Sequence, residues 1–504
     1  MDTRRAAAAV ALLALALGAL HLVMAGTLEL SPDEAYYWTW AQAPALAYPD
    51  HPPLCAWLIA LGTAVGGDTA LGVRWPFVLL GTLLVPLAFA AGRRAGLRPG
   101  LALAAAAAVG TSLLGSAAAL LATPDTPLAF GWAVGLLGLL GAAGARPARA
   151  DWPLLAAGIA VACLSKLTGV LLPAVVVLWL AGPSGAGWRR RRPPWLALAA
   201  GLAAAVPAYW ADAAGGGATG FQLTHGLWSP DLAFLERVGN LGAYVGAQLG
   251  LLTPLLAVAV VAFLARPRLG EPSRAAVWWS AALPWAVFAV AAPLATPEAN
   301  WPGVAQLGGL LGAALAVQEA QRRGARWARP AWVAAALGLA VAVSVVVHVH
   351  LARPFLPLDR SGSEPFVGST DPVARLHGWE SLVRALERRE DAVCPGWYGA
   401  AALLRFHGFR GRLAPGCGGG SGGWEADRAA PRPAGGVVLW LEPSAGPGLP
   451  GGFVVAPPAE CTELPPDPAA FDPRLARPAA PIRLRRLACP DPPLGTAARL
   501  RTPP

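Results

Sequence analysis

The chain has 504 residues, 55% of them hydrophobic and 13% charged, with a formal net charge of +10. A soluble domain carries roughly a quarter charged residues, so this composition, with repeated apolar runs of about 20 residues, excludes an ordinary water-soluble enzyme and indicates a mainly α, polytopic membrane protein. Nucleic acid is excluded as a partner because the basic residues of the apolar region sit in short segments between the runs, as the positive-inside rule requires; of 39 basic residues only Lys166 is a lysine.

Arg4 and Arg5 precede an apolar run over residues 6–28. It is long for a signal peptide and Ala25-Gly-Thr-Leu-Glu29 is a poor cleavage site, so it reads as an uncleaved first helix with its N-terminus inside. Residues 30–53 then lie outside. They hold Asp33, Glu34, Asp50, His51 and five aromatic residues, where a hairpin connection needs none. Two readings stand: a solvated loop, or a reaction site at the membrane surface. Residues 54–61 form a short apolar piece along that surface, and the second span, residues 71–91, stops at Arg93, Arg94 and Arg98.

The third span (101–121) surfaces at Ala122-Thr-Pro-Asp-Thr-Pro127, and the fourth (128–143) returns to Arg146 and Arg149. Residues 152–180 are apolar apart from Ser165-Lys166-Leu-Thr-Gly169. One long helix would bury a lysine at its centre at a cost of several kcal/mol, whereas two shorter helices meeting at Lys166 avoid it. That division also leaves the next segment, Trp188-Arg-Arg-Arg-Arg192, inside. The seventh span (195–210) leads to an external loop, 211–240, with Asp212, His225, Asp231 and Glu236. Later spans end at Arg266 and Arg268, surface at Thr296-Pro-Glu-Ala-Asn-Trp-Pro302, and return to Arg322, Arg323, Arg326 and Arg329. The last, 332–350, leaves the C-terminus outside. Hydropathy and charge together give about eleven spans, N-in and C-out.

The division expected is a transmembrane catalytic domain, residues 1–350, and a C-terminal extracytoplasmic α/β domain, residues 351–504, partly Pro/Gly-rich. Within the latter, 379–389 and 398–406 read as helices and 436–441 and 453–455 as strands. Segment 411–423 and the Pro-rich end read as loops. Cys394, Cys417, Cys461 and Cys489 in an external segment suggest two disulfides of open connectivity.

The external turns gather Asp33, Glu34, Asp50, His51, Asp125, Lys166, His225, Glu298 and Asn300. Each has a bland alternative: Asp33 a helix cap, Asp125 a turn residue, Lys166 a snorkelling side chain, His225 a loop histidine, and Glu298 and Asn300 helix-entry residues. Together they fit glycosyl transfer from a lipid-phosphate sugar, with Asp33 as base and His51 and Lys166 facing the phosphate. A divalent ion on Asp50 and His225 would add to that charge. The rival class is a transporter or flippase of lipid-linked substrates, which calls for polar residues at mid-span and repeated halves. Here the polar residues lie at one face and no internal repeat is visible.

Asp33-Glu-Ala-Tyr-Tyr-Trp38, Tyr48-Pro-Asp-His-Pro-Pro53, Ala122-Thr-Pro-Asp-Thr-Pro127, Ser165-Lys166 and Pro297-Glu-Ala-Asn-Trp-Pro302 together resemble the family 39 glycosyltransferases. These are bacterial relatives of protein mannosyltransferases and of the lipid A aminoarabinose transferase, in the glycosyltransferase C superfamily. The resemblance covers roughly residues 30–320. It implies a multi-pass protein of the bacterial inner membrane with its site on the extracytoplasmic face. A polyprenyl-phosphate sugar would be the donor, an envelope lipid, glycan or protein the acceptor, and the reaction inverting. It further implies Asp33 as base, Asp125 as a second catalytic aspartate, and substrate contacts from Glu34, Tyr37, His51, Lys166, Glu298 and Asn300. Asp50 and His225 correspond to metal-binding positions. The loop after Asp212 is Gly- and Ala-rich and departs from the family's Trp-Asn pattern.

Overall fold

In a computed structural model, the structure describes residues 1–215, 232–294, 298–356, 376–388, 392–395, 398–411, 436–443, 461–464 and 482–489. In chain order the helices are α1 (Thr3–Thr27), α2 (Pro32–Ala41), α3 (Leu54–Gly66), α4 (Ala70–Arg94), α5 (Pro99–Thr111), α6 (Leu113–Leu120), α7 (Asp125–Ala142), α8 (Asp151–Ser165), α9 (Leu171–Ala181) and α10 (Arg192–Gly215). They continue with α11 (Phe234–Leu252), α12 (Pro254–Leu264), α13 (Pro272–Ala291), α14 (Ala305–Arg322), α15 (Pro330–Ala352), α16 (Trp379–Glu387) and α17 (Tyr398–Phe406). Several open on proline, whose fixed φ suits a helix start. Contacts divide the chain into two units: Met1–Thr27 with Ala43–His348, and Leu28–Gln42 with Val349–Pro504. The stretch that carries Asp33 thus belongs with the C-terminal unit.

In the first unit, α1, α4, α7, α10, α13 and α15 are each long and apolar enough to cross a bilayer. Two bent pairs, α5 with α6 (61°) and α11 with α12 (110°), raise the number to eight among the described residues. The remaining apolar segments are also helical, but α8 and α9 have 15 and 11 residues, too short to cross singly at about 1.5 Å per residue. Each break has a local cause. Ser112 is extended and its hydroxyl accepts from Gly115 N at 3.0 Å, so α6 starts afresh. Thr253, before Pro254, has φ +63°, the one positive φ outside glycine among the described residues. Lys166 is extended (φ −153°, ψ 150°) between α8 and a 3-10 turn, at the junction expected from sequence.

Helices α7 and α8 lie closely side by side because glycines face each other. A Cβ on Gly158 would stand 2.3 Å from Gly135 N and 2.6 Å from Gly131 O, and one on Gly138 would stand 2.5 Å from Leu155 N. Small residues at such spacing let apolar helices approach backbone to backbone, with van der Waals contact replacing a hydrophobic drive absent in lipid. At one end of this seam Arg94 pairs with the buried Asp151 at 2.8 Å. At the other stand Asp125, the first residue of α7, and Lys166, the first after α8.

The second unit contains α2, α16, α17 and a sheet of order β1-β2-β4-β3, with β1 Ala392–Pro395, β2 Gly436–Pro443, β3 Thr462–Glu463 and β4 Ile482–Cys489. β1 and β2 are parallel; the other pairs are antiparallel, with Leu441 opposite Leu484 and Val438 opposite Leu487. Cys461 is bonded to Cys489, and Cys394 is also disulfide-bonded. The reading of the chain end as loop is corrected by β4, whose three arginines mask a short strand pattern that pairing with β2 completes. The expected strand at 453–455 lies outside the described residues. Glu29 explains why residues after α1 join this unit: its carboxylate accepts from Trp379 N at 2.6 Å and Glu380 N at 3.1 Å, capping α16.

Replacing Gly158 by alanine is expected to cost about 1–3 kcal/mol by forcing α7 and α8 apart. Gly246→Ala, on a face of α11 open around that glycine, is the neutral control. Thermal inactivation of the detergent-purified proteins would measure both.

Candidate active site

Asp125 collects side chains from three loops of the first unit. Lys166 Nζ donates to its Oδ1 at 2.9 Å and Asn300 Nδ2 to its Oδ2 at 3.0 Å, across 41 and 175 residues of sequence. The lysine side chain is 10% exposed and the aspartate 25%, so the pair is mostly withdrawn from water. An ammonium there requires a partner, and the carboxylate supplies it. Both oxygens of Asp125 are therefore engaged, one with Lys166 and one with Asn300. Lys166 uses one of its three donor hydrogens on Asp125.

The Asn300 turn is itself anchored. Gln248 of α11 donates to Ala299 O at 2.8 Å and accepts from Trp285 Nε1 at 3.1 Å, while Tyr244 Oη donates to Trp285 O at 2.9 Å. Sequence reasoning passed over Gln248 and Trp285; a buried glutamine on an apolar helix is the signal that could have found them. Glu298, one turn earlier, is exposed.

His51 precedes Pro52-Pro53 at the start of α3. Its loop is braced by Tyr48, whose Oη accepts from Ala45 N at 2.8 Å, and by Trp57 Nε1 donating to Ala45 O at 2.8 Å. Burial, and secondarily the charge of Lys166, lower the His51 pKa to about 3. It is thus neutral at pH 7, and any phosphate contact it makes is a hydrogen bond rather than a cationic one. His51 also lines a small cavity with Leu167, Tyr209 and Asp212. Asp212 is a buried carboxylate at the outer end of the apolar α10, and sequence analysis gave it no role. Arg74 of α4 is wholly buried and donates to Ala25 O at 3.3 Å.

In the second unit, Ser31 caps α2: its hydroxyl accepts from Glu34 N at 3.3 Å, and Glu34 Oε2 accepts from Ser31 N at 2.9 Å. The cap is reciprocal, and Glu34 is fully buried. Tyr37 is also buried, among the rings of Tyr36 and Trp40. Asp33 is exposed and takes a hydrogen bond from Tyr398 Oη at 2.6 Å on Oδ1. The tyrosine comes from 365 residues away and carried no sequence signal.

Asp50 is partly buried in the first unit, and His225 lies outside the described residues. Among the described residues no three His, Cys, Asp or Glu side chains gather as a metal-holding group.

The fold is similar to that of ArnT from Cupriavidus metallidurans in the apo state, with 18% identity over 86% of this chain and 92% of that one and a TM-score of 0.55. The same protein bound to undecaprenyl phosphate matches with 18% identity over 80% and 85% and a TM-score of 0.50. At such identity the likeness concerns the fold. Residues 50–210 match the family described as dolichyl-phosphate-mannose-protein mannosyltransferase, and no curated protein matches the sequence. The family match, over about a third of the chain, and the likeness of fold favour a membrane glycosyltransferase over the transporter alternative.

Two measurements test this geometry. Lys166→Met leaves a partly buried carboxylate without its cation and Asp125→Asn the reverse, so each is expected to lower the melting temperature more than the double variant does. Because the folded pKa of His51 lies below the unfolded value, the unfolded chain binds more protons between pH 6.5 and about 3. Stability is therefore lost as pH falls through that window, and His51→Gln should flatten that part of the profile in a melting-temperature series.

Proposed function

We propose that the protein moves a sugar from a polyprenyl-phosphate donor to an acceptor on the extracytoplasmic face of a bacterial inner membrane, with inversion at the anomeric carbon. The observation that carries this reading is the convergence of Lys166, Asp125 and Asn300 from three separate loops. The family description naming dolichyl-phosphate-mannose, and the undecaprenyl phosphate bound by the similar ArnT structure, support the donor class. The arginine-rich segments, read as cytoplasmic, support the orientation. The acceptor is an envelope lipid, glycan or protein.

Asp33 takes the proton of the acceptor hydroxyl. The acceptor oxygen forms its bond to the anomeric carbon while the bond from that carbon to the phosphate oxygen breaks, its electron pair leaving with the phosphate. Lys166, held by Asp125, stabilises that oxygen, and neutral His51 and Asn300 supply hydrogen-bonding groups. A divalent ion on Asp50 would need ligands beyond the groups found among the described residues, so no step is assigned to a metal.

Membranes containing the wild type, Asp33→Asn or Lys166→Met, supplied with radiolabelled polyprenyl-phosphate mannose, glucose and arabinose, test the reading. Asp33→Asn and Lys166→Met are each expected to lower transfer by about 10²-fold or more at equal protein level. Wild-type transfer by Asp33→Asn would remove Asp33 as base.

A further inference from the structure

The second unit places one more group on the proposed base. We infer that Tyr398 is a positioning residue for Asp33, through which the C-terminal unit sets the direction of the proposed catalytic carboxylate. The inference rests on the reading of Asp33 as base.

Asp33 stands on the first turn of α2, whose start is fixed by the Ser31–Glu34 cap. That cap holds the backbone but makes no contact with the Asp33 carboxylate. Tyr398 is the first residue of α17 and follows β1 in the chain, so its backbone is held by the sheet of the C-terminal unit. Its Oη donates to Asp33 Oδ1 at 2.6 Å, a length typical of a hydroxyl bonded to an ionised carboxylate, roughly 2.5–2.7 Å. Among the described residues Oδ2 of Asp33 carries no hydrogen bond, and the side chain is exposed. One oxygen is thus held by the phenol and the other is open to an acceptor proton.

The phenol is held in turn. The Tyr398 ring lies 4.8 Å from the Tyr36 ring, and one turn further along α2 Trp38 meets Phe406 of α17 edge to face at 5.1 Å. These contacts clamp α2 to α17 and limit the rotation of the carboxylate. A base turned about its Cβ–Cγ bond presents the wrong lone pair, so a fixed orientation raises the rate of proton transfer without altering donor affinity.

Tyr398→Phe keeps the ring and removes the donor. In detergent-purified full-length protein with radiolabelled polyprenyl-phosphate mannose, glucose and arabinose, kcat is expected to fall about tenfold, the scale of one charge-assisted hydrogen bond, with the donor KM unchanged. Phe406→Leu loosens the same helix pair without touching Asp33; it should lower the melting temperature, whereas Tyr398→Phe should keep a melting temperature close to that of the wild type. A rate drop in Tyr398→Phe accompanied by a melting-temperature loss as large as that of Phe406→Leu, or by a raised donor KM, would make the tyrosine merely structural and overturn the inference, as would wild-type kcat. If Asp33→Asn keeps transferring sugar, the base assignment itself falls and this inference with it. If Asp33→Asn is inactive while Tyr398→Phe is normal, only the role of Tyr398 is lost.

Discussion

An ammonium withdrawn from water is stable only beside a counter-charge, and that constraint organises the first unit around Lys166. Asp125 meets it at 2.9 Å, and Asn300 satisfies the other carboxylate oxygen. Each partner is delivered by a distinct device. The glycine seam between α7 and α8 brings the start of one helix beside the end of the other, so the spacing of Gly131, Gly135, Gly138 and Gly158 is coupled to the Asp125–Lys166 distance. The extended conformation at Lys166 stops α8 at the level of that contact. Gln248 and Trp285 then hold the turn that offers Asn300. Packing deep among the helices and polar geometry at their ends are therefore one problem.

Much of this was legible in the sequence where the signal is local. Apolar runs punctuated by arginine marked the helices, and a lone lysine inside a run marked a break, because both follow from the cost of charge in hydrocarbon. The motif residues Asp125, Lys166 and Asn300 could be named, but not their mutual bonding. Periodicity carries no information on which external turns meet. The same limit hid the division of the chain. Glu29 caps α16 across some 350 residues, and nothing in its neighbours distinguishes it from a loop carboxylate. Glu34 carries a local signal of a different kind: the Ser-x-x-Glu pattern of a capping box is present at residues 31–34. Asp212 was visible in the run but read as the beginning of a loop, since the apolar pattern of α10 fades just before it.

The division into units has a consequence for how the chemistry is maintained. Lys166, Asp125, Asn300 and His51 belong to one unit and Asp33 to the other, with the chain passing between units after residues 27, 42 and 348. Asp33, the proposed base, is thus part of a body with its own sheet and disulfide, and its backbone is fixed by a cap, an aromatic cluster and α17. On the proposed function the small domain is accordingly more than an appendage.

The neutrality of His51 sharpens what the lysine can contribute. With the imidazole uncharged and Asp125 beside the ammonium, this cluster has little net positive charge with which to hold a phosphate in the ground state. A sugar phosphodiester carries one negative charge, and cleavage of its glycosidic bond leaves a phosphate with nearly two. Asp125 opposes both charges alike, so it weakens the attraction at every stage without cancelling its growth. On the proposed mechanism the attraction of the ammonium therefore rises as the bond to the sugar breaks, which is the condition for a charge to accelerate a reaction rather than only bind its substrate. Asp125 in turn keeps the ammonium paired where it is withdrawn from water.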